Sequence, residues 1–144
     1  MTGLTGRRLR VLALMAEGRT NLEISELLGL APMGANFHIC RLLRELGAVC
    51  RAHAVGEGWR RGLLTGDQRD VDPGLTSHQV QIVALLADGL TYSQAARRLD
   101  RTTEAVKSDA VQARRKLGAA NAAHAVDLAY RAGLLPAPVL ERAS

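Results

Sequence analysis

Apolar residues between positions 102 and 118 recur at the spacing of one helix face. Ala105, Val106, Ala110, Ala113 and Leu117 form the stripe, and Lys107, Ser108, Val111, Arg114 and Arg115 fall outside it. Thr102 is suited to capping the N-terminus, Glu104 places negative charge in the first turn, and Gly118 can close the C-terminus. The pattern predicts a helix over Thr103–Leu117. The same reading predicts helices at Gly6–Glu17, Asn21–Leu28, Pro32–Leu46, Cys50–Gly62, Ser77–Asp88, Tyr92–Leu99 and Asn121–Ala132. Gly18 and Gly89 stop the first helix of each group, Thr20 and Thr91 cap the second, and Pro32 suits a first helical turn. One local alternative is a pair of strands, Val49–Val55 and Trp59–Leu64, around Gly56-Glu57-Gly58.

The helices come in two sets because the sequence repeats. Shifting it by 71 residues lays Leu4–Leu64 on Leu75–Leu135 without a gap. Leu14/Leu85, Gly18/Gly89, Thr20/Thr91, Leu28/Leu99, Gly47/Gly118, His53/His124 and the Gly-Leu-Leu endings coincide. This register argues against the strand pair, since Asn121–Ala132 reads as a clean helix. The expected organisation is a first unit at 1–64, a linker at 65–74, a second unit at 75–135 and a tail at 136–144. The linker leaves the units free to move or to pack, and the tail from Pro136 has room for one short helix.

Composition sharpens this picture. Hydrophobic residues make up 47% of the 144 and charged residues 23%, a globular balance. With one Trp, one Phe and two Tyr, the core must be aliphatic, and the Ala, Leu and Arg content fits an all-α fold. The net charge is +5, and it sits in the repeated units at +4 and +3, while the linker carries −2. A basic surface of this kind suits nucleic acid. Cys40 and Cys50 cannot build a disulfide framework, and with His38 and His53 they lack zinc-ligand spacing. No phosphate loop, nucleophile elbow or paired-acid motif occurs, so neither enzymatic activity nor a cofactor is expected. No apolar run approaches the roughly 20 residues of a membrane span, and a signal-peptide pattern is absent, so a cytoplasmic protein is expected.

Leu-Thr, an apolar helix ending in Ala-x-Gly, Leu28-Gly29-Leu30-Ala31-Pro32, Leu46-Gly47-Ala48 and His53-Ala54-Val55…Gly62-Leu63-Leu64 together resemble the LuxR/GerE-type helix-turn-helix domain of bacterial transcription factors. The second unit carries the resemblance at Leu75-Thr76, Ala87-Asp88-Gly89-Leu90-Thr91, Ala105-Val106-Lys107, Arg115-Lys116-Leu117-Gly118 and Ala125-Val126…Gly133-Leu134-Leu135. The resemblance implies two tandem four-helix domains. In each, the third helix would enter the major groove and the fourth would mediate pairing.

Carried over position by position, the implied reading residues of the second unit are Lys107, Ser108 and Val111. Arg114, Arg115 and Thr91 would lie near phosphates. In the first unit the reading positions are Asn36, Phe37 and Cys40, with Arg41 and Arg44 nearby. Phe37 is unusual on such a face, Gly34 stands within the helix, and Ala31 stands where a cap is preferred. The first unit therefore either reads a different sequence or binds protein through Phe37 and Ile39. Asp109 is the unfavourable charge on the second reading helix, expected at its rim and paired with an arginine. Ala122, Ala125, Val126 and Ala129 form a small-residue face suited to dimerisation. The expected function is sequence-specific binding of double-stranded DNA in transcriptional regulation, by a pseudo-dimer within one chain or by a homodimer joined through the fourth helix. The alternative is a regulator whose first unit holds a polymerase subunit, sigma factor or other regulator.

Overall fold

A computed structural model describes residues 6–66 and 72–136, which fold into α-helices without strands. The helices are α1 (Gly6–Ala16), α2 (Asn21–Leu27), α3 (Gly34–Leu46), α4 (Arg51–Arg60), α5 (Ser77–Ala87), α6 (Tyr92–Leu99), α7 (Thr103–Leu117) and α8 (Ala122–Arg131). Every expected helix is present, with ends that move by a few residues. Leu4 and Thr5 of the repeat, linker residues 67–71 and the possible tail helix lie outside the described residues.

Left-handed backbone recurs at the 71-residue spacing, at Gly18 and Gly89, Gly29 and Asp100, Gly47 and Gly118, and Gly62 and Gly133. The N-terminal caps follow in part. Thr20, Thr76 and Thr91 each form a full capping box, with Glu23, Gln79 and Gln94 answering from the third helical position.

The start of α3 differs from expectation. Pro32 and Met33 form a turn, and the helix begins at Gly34 with no side-chain cap from its own strand of sequence. The cap comes from α2. The Ser25 hydroxyl, fully buried, accepts from the Ala35 N–H at 3.0 Å and donates to the Pro32 carbonyl at 3.2 Å. Gly34 is required by the same turn, because a Cβ there would meet the Leu30 Cβ at 2.9 Å. The absent cap at Ala31 is thus replaced by Ser25, and Gly34 makes room for the turn. Ser25→Ala should strand a buried N–H and carbonyl and cost about 2 kcal/mol, measurable by urea denaturation.

The strand pair does not form: Gly56 and Gly58 lie inside α4. Both glycines permit close approach. A Cβ on Gly56 would stand 2.5 Å from the Ala87 carbonyl oxygen at the end of α5, and one on Gly58 would stand 2.9 Å from Leu12. Their cost in helix propensity is offset by packing that only a bare backbone allows.

The larger core spans both sets of helices. It joins Val11, Leu12, Ile24, Leu42 and Val55 to Val83, Ala87, Ala113, Val126 and Ala129. A smaller cluster, Ile82, Leu85, Ala95, Ala96, Val106 and Ala110, holds α5, α6 and α7 together. The most extensive helix contact is α4 on α8, across the two sets.

That contact is reciprocal. Trp59 and Tyr130, equivalent under the 71-residue shift, stack on each other with ring planes 1° apart and centroids 5.3 Å apart. His53 lies against Gly89, and its equivalent His124 lies against Gly18. Each of these imidazoles accepts a backbone N–H through Nδ1, from Val49 at 3.1 Å and from Ala120 at 3.0 Å. Trp59 Nε1 donates to the buried Asp127 at 2.9 Å, and Arg131 holds the other carboxylate oxygen at 2.8 Å. Arg60 ties α4 to Asp88 at 2.9 Å.

Candidate nucleic-acid interface

Helix α7 begins where the Thr102 hydroxyl accepts from the Ala105 N–H at 3.1 Å. Val106, Ala110 and Ala113 bury the inner stripe. This burial fixes the rotation of the helix, so Lys107, Ser108, Val111 and Arg115 face outward. Val111 is 42% exposed, and Ser108 Oγ accepts from Gln112 Nε2 at 3.2 Å. The outward face thus offers a cation, a hydroxyl and an apolar tip within two turns.

Not every basic residue of α7 belongs to that face. Lys116 turns back to the Gly74 carbonyl at 3.0 Å and to Gln79 Oε1 at 2.9 Å. Arg114 is half-buried with its Nε enclosed, so Arg115 is the freer of the pair to meet a phosphate. Thr91 is exposed, but its hydroxyl accepts from the Gln94 N–H and is already serving the α6 cap.

Asp109 turns away from the outward face. It pairs with Arg101 at 2.5 Å and accepts from Gln79 at 3.4 Å. The Arg101 hydrogen bond, foremost, holds its carboxyl below the usual carboxylate range. A depressed acid stabilises the fold above its unfolded pKa, and that contribution disappears as pH falls through the lowered folded value. Asp109→Asn should therefore melt below wild type at neutral pH, and the two melting curves should converge in strong acid.

Arg97 and Arg98, exposed in the last turn of α6, are further candidates outside the implied reading positions. The signal was available: Glu26 and Leu27 occupy the same places in α2.

The first unit's positions are arranged differently. Asn36 is half-buried, and its Oδ1 accepts from Asn21 Nδ2 at 2.5 Å, while Asn21 accepts from Arg51. This network joins α2, α3 and α4 and engages the amide that would otherwise read a base. Phe37 is 59% exposed, with the Arg41 guanidinium 5.7 Å from its ring centre and the His38 ring edge-on at 5.4 Å. Cys40 and Arg44 are also exposed.

The charge of the two helix pairs separates them further. Residues 20–47 carry two Arg against three Glu, a net −1, whereas residues 91–118 carry seven basic against three acidic groups, a net +4. Summed over whole units the charges look alike, because the first unit's remaining arginines, such as Arg7, Arg8, Arg51 and Arg60, lie on α1 and α4.

The α8 residues expected to serve dimerisation are used inside the chain. Val126 and Ala129 are buried and Ala122 is half-buried in the core that α8 shares with α4, and Ala125 is buried as well. That apolar face is not offered to a second molecule.

Comparison with known proteins bears on the first four helices. Residues 2–56 match the family model for bacterial regulatory proteins of the luxR family, GerE. The N-terminal segment is one LuxR-family helix-turn-helix domain. The match to this LuxR domain ends within α4, and the family model detects no second copy in α5–α8. No curated protein and no solved structure gives a match. A LuxR-family domain suggests DNA-binding transcriptional regulation and is typically non-enzymatic. Among the described residues no helix is long and apolar enough to cross a membrane, and no group of His, Cys, Asp and Glu could hold a metal ion.

Proposed function

We propose that this protein is a sequence-specific DNA-binding transcriptional regulator that reads DNA with α7. Lys107, Ser108 and Val111 contact base edges, with Lys107 on guanine O6/N7 and Val111 on a thymine methyl. Arg115, Arg97 and Arg98 meet phosphates and set the register, with Arg114 contributing from its half-buried place. The observation that carries this reading is the outward α7 face of Lys107, Ser108, Val111 and Arg115, with exposed Arg97 and Arg98 in the same +4 segment and Asp109 turned onto Arg101.

On the same reading the chain is a tandem of two LuxR-type units, 1–64 and 75–135, joined by 65–74 and followed by a tail at 136–144. The recurrence of helices and left-handed residues at one spacing supports it. So does the stacking of equivalent aromatics, Trp59 on Tyr130. The α4–α8 pairing supports reading the chain as a covalent pseudo-dimer, with two helix pairs unlike in charge.

The test is a footprint and gel shift on DNA flanking the protein's own gene, with salt varied. A protected site that weakens steeply with salt is expected. Binding indifferent to DNA sequence, or absent at moderate salt, would overturn the assignment.

A further inference from the structure

The first unit leaves uncovered an apolar surface that has no counterpart in the second. Leu22, Leu27, Met33 and Phe37 are exposed, Met33 at 72% and Leu22 at 53%. At the equivalent places the second unit has Ser93, Arg98, Glu104 and Ser108. A monomeric soluble surface seldom clusters large apolar side chains in this way without a partner for them.

The charges beside these residues indicate the partner. On α2, Glu26 lies one turn beyond Leu22 and is exposed. On α3, Arg41 lies one turn beyond Phe37 and covers its ring, with Arg44 following. Each helix thus pairs an apolar anchor with a charge, and the two charges are opposite. A two-fold contact brings α2 of one molecule onto α3 of the other and repeats the contact reciprocally. Leu22 then meets Phe37, and Glu26 meets Arg41, on both sides of the axis. The surface is complementary to itself through Glu26 and Arg41, although Arg51 reaches α2 and Arg7 and Arg8 lie near His38 of α3.

We infer that two copies of this chain pair through the α2–α3 face of the N-terminal unit. The need for pairing rests on α7 being the reader. Helix-turn-helix proteins gain affinity by presenting two reading helices to two half-sites, and here one chain presents a single basic one. The surface α8 would otherwise provide is already occupied by α4. Joining through the first unit leaves both α7 helices free.

The experiment is the molar mass of the full chain in solution, without DNA, across a concentration series. A dimer is expected at tens of micromolar, and Phe37→Ser should raise its dissociation constant by at least about tenfold. Glu26→Arg and Arg41→Glu should each be monomeric at concentrations where wild type is dimeric. Mixing the two variants should restore a dimer, because every reversed charge then meets its opposite. Lys107→Ala should weaken operator binding and keep the dimer, which separates failure of this contact from failure of the DNA assignment. A chain that stays monomeric, a dimer indifferent to Phe37→Ser, or variants that do not pair on mixing would overturn the proposal. A Phe37→Ser change in base-specific footprint with unchanged mass would overturn it in favour of DNA reading by α3.

Discussion

Replacing Trp59 by alanine is expected to destabilise the whole chain by about 3 kcal/mol, in a single transition that reports both sets of helices together. Three losses coincide at this residue. The stacking partner of Tyr130 disappears, the 2.9 Å donor to the buried Asp127 is removed, and the Arg131 guanidinium loses the ring 5.4 Å beneath it. Asp127 keeps Arg131, so the buried carboxylate is not orphaned, and this limits the penalty. Cooperativity follows from the shared core, since Val11 and Leu12 of α1 belong to the same cluster as Val126 and Ala129 of α8. Far-UV circular dichroism in urea measures the effect. Trp59 is the only tryptophan, so wild-type fluorescence should lose the same contact at the same midpoint. Two separated transitions in wild type, or an unchanged midpoint in Trp59→Ala, would show that the sets of helices are stable independently.

The second large effect is expected at Lys107. Its alanine variant should fold normally, because the side chain is exposed and only Val106 beside it is buried. Operator affinity should fall by about tenfold to a hundredfold, as for loss of one guanine contact worth roughly 1–3 kcal/mol. The salt dependence should become shallower by about one ion. Arg115→Ala is the comparison. Losing a phosphate contact should weaken all DNA sequences alike, whereas Lys107→Ala should also relax preference at one base pair. Competition gel shifts with single-base operator variants separate the two. Arg114→Ala is a poorer probe, because its half-buried side chain mixes a folding cost with any lost contact. If Lys107→Ala and Arg115→Ala both bind as wild type, α7 is not the reading helix.

Much of the candidate interface was legible in residue spacing. The inner stripe Val106, Ala110 and Ala113 determines which side chains of α7 face outward, and helix periodicity alone provides it. The withdrawal of Asp109 onto an arginine was also accessible as an expectation. Identifying the partner as Arg101, eight residues earlier in the turn before α7, required the fold. Other features were illegible because the answering group is distant in sequence. Ala31 reads as a missing cap, yet the α3 N–H is satisfied by Ser25 on the preceding helix. Gly56 and Gly58 allow a reading as the turn between two strands, yet they are openings for Ala87 and Leu12. Asn36 stands at a reading position, yet Asn21 engages its amide oxygen.

The sequence by itself determined the helices, their boundaries to within a few residues and the outward face of α7. These follow from periodicity and from caps whose partners lie within one turn. Only the tertiary structure decided that the small-residue face of α8 closes on α4 of the same chain. It also decided that α1–α4 and α5–α8 share a core and that the apolar α2–α3 surface remains open. An amphipathic helix announces that it will be covered, but the covering surface is chosen by the energy of the whole arrangement. The stacking of Trp59 on Tyr130, 71 residues apart, is a term no local pattern contains.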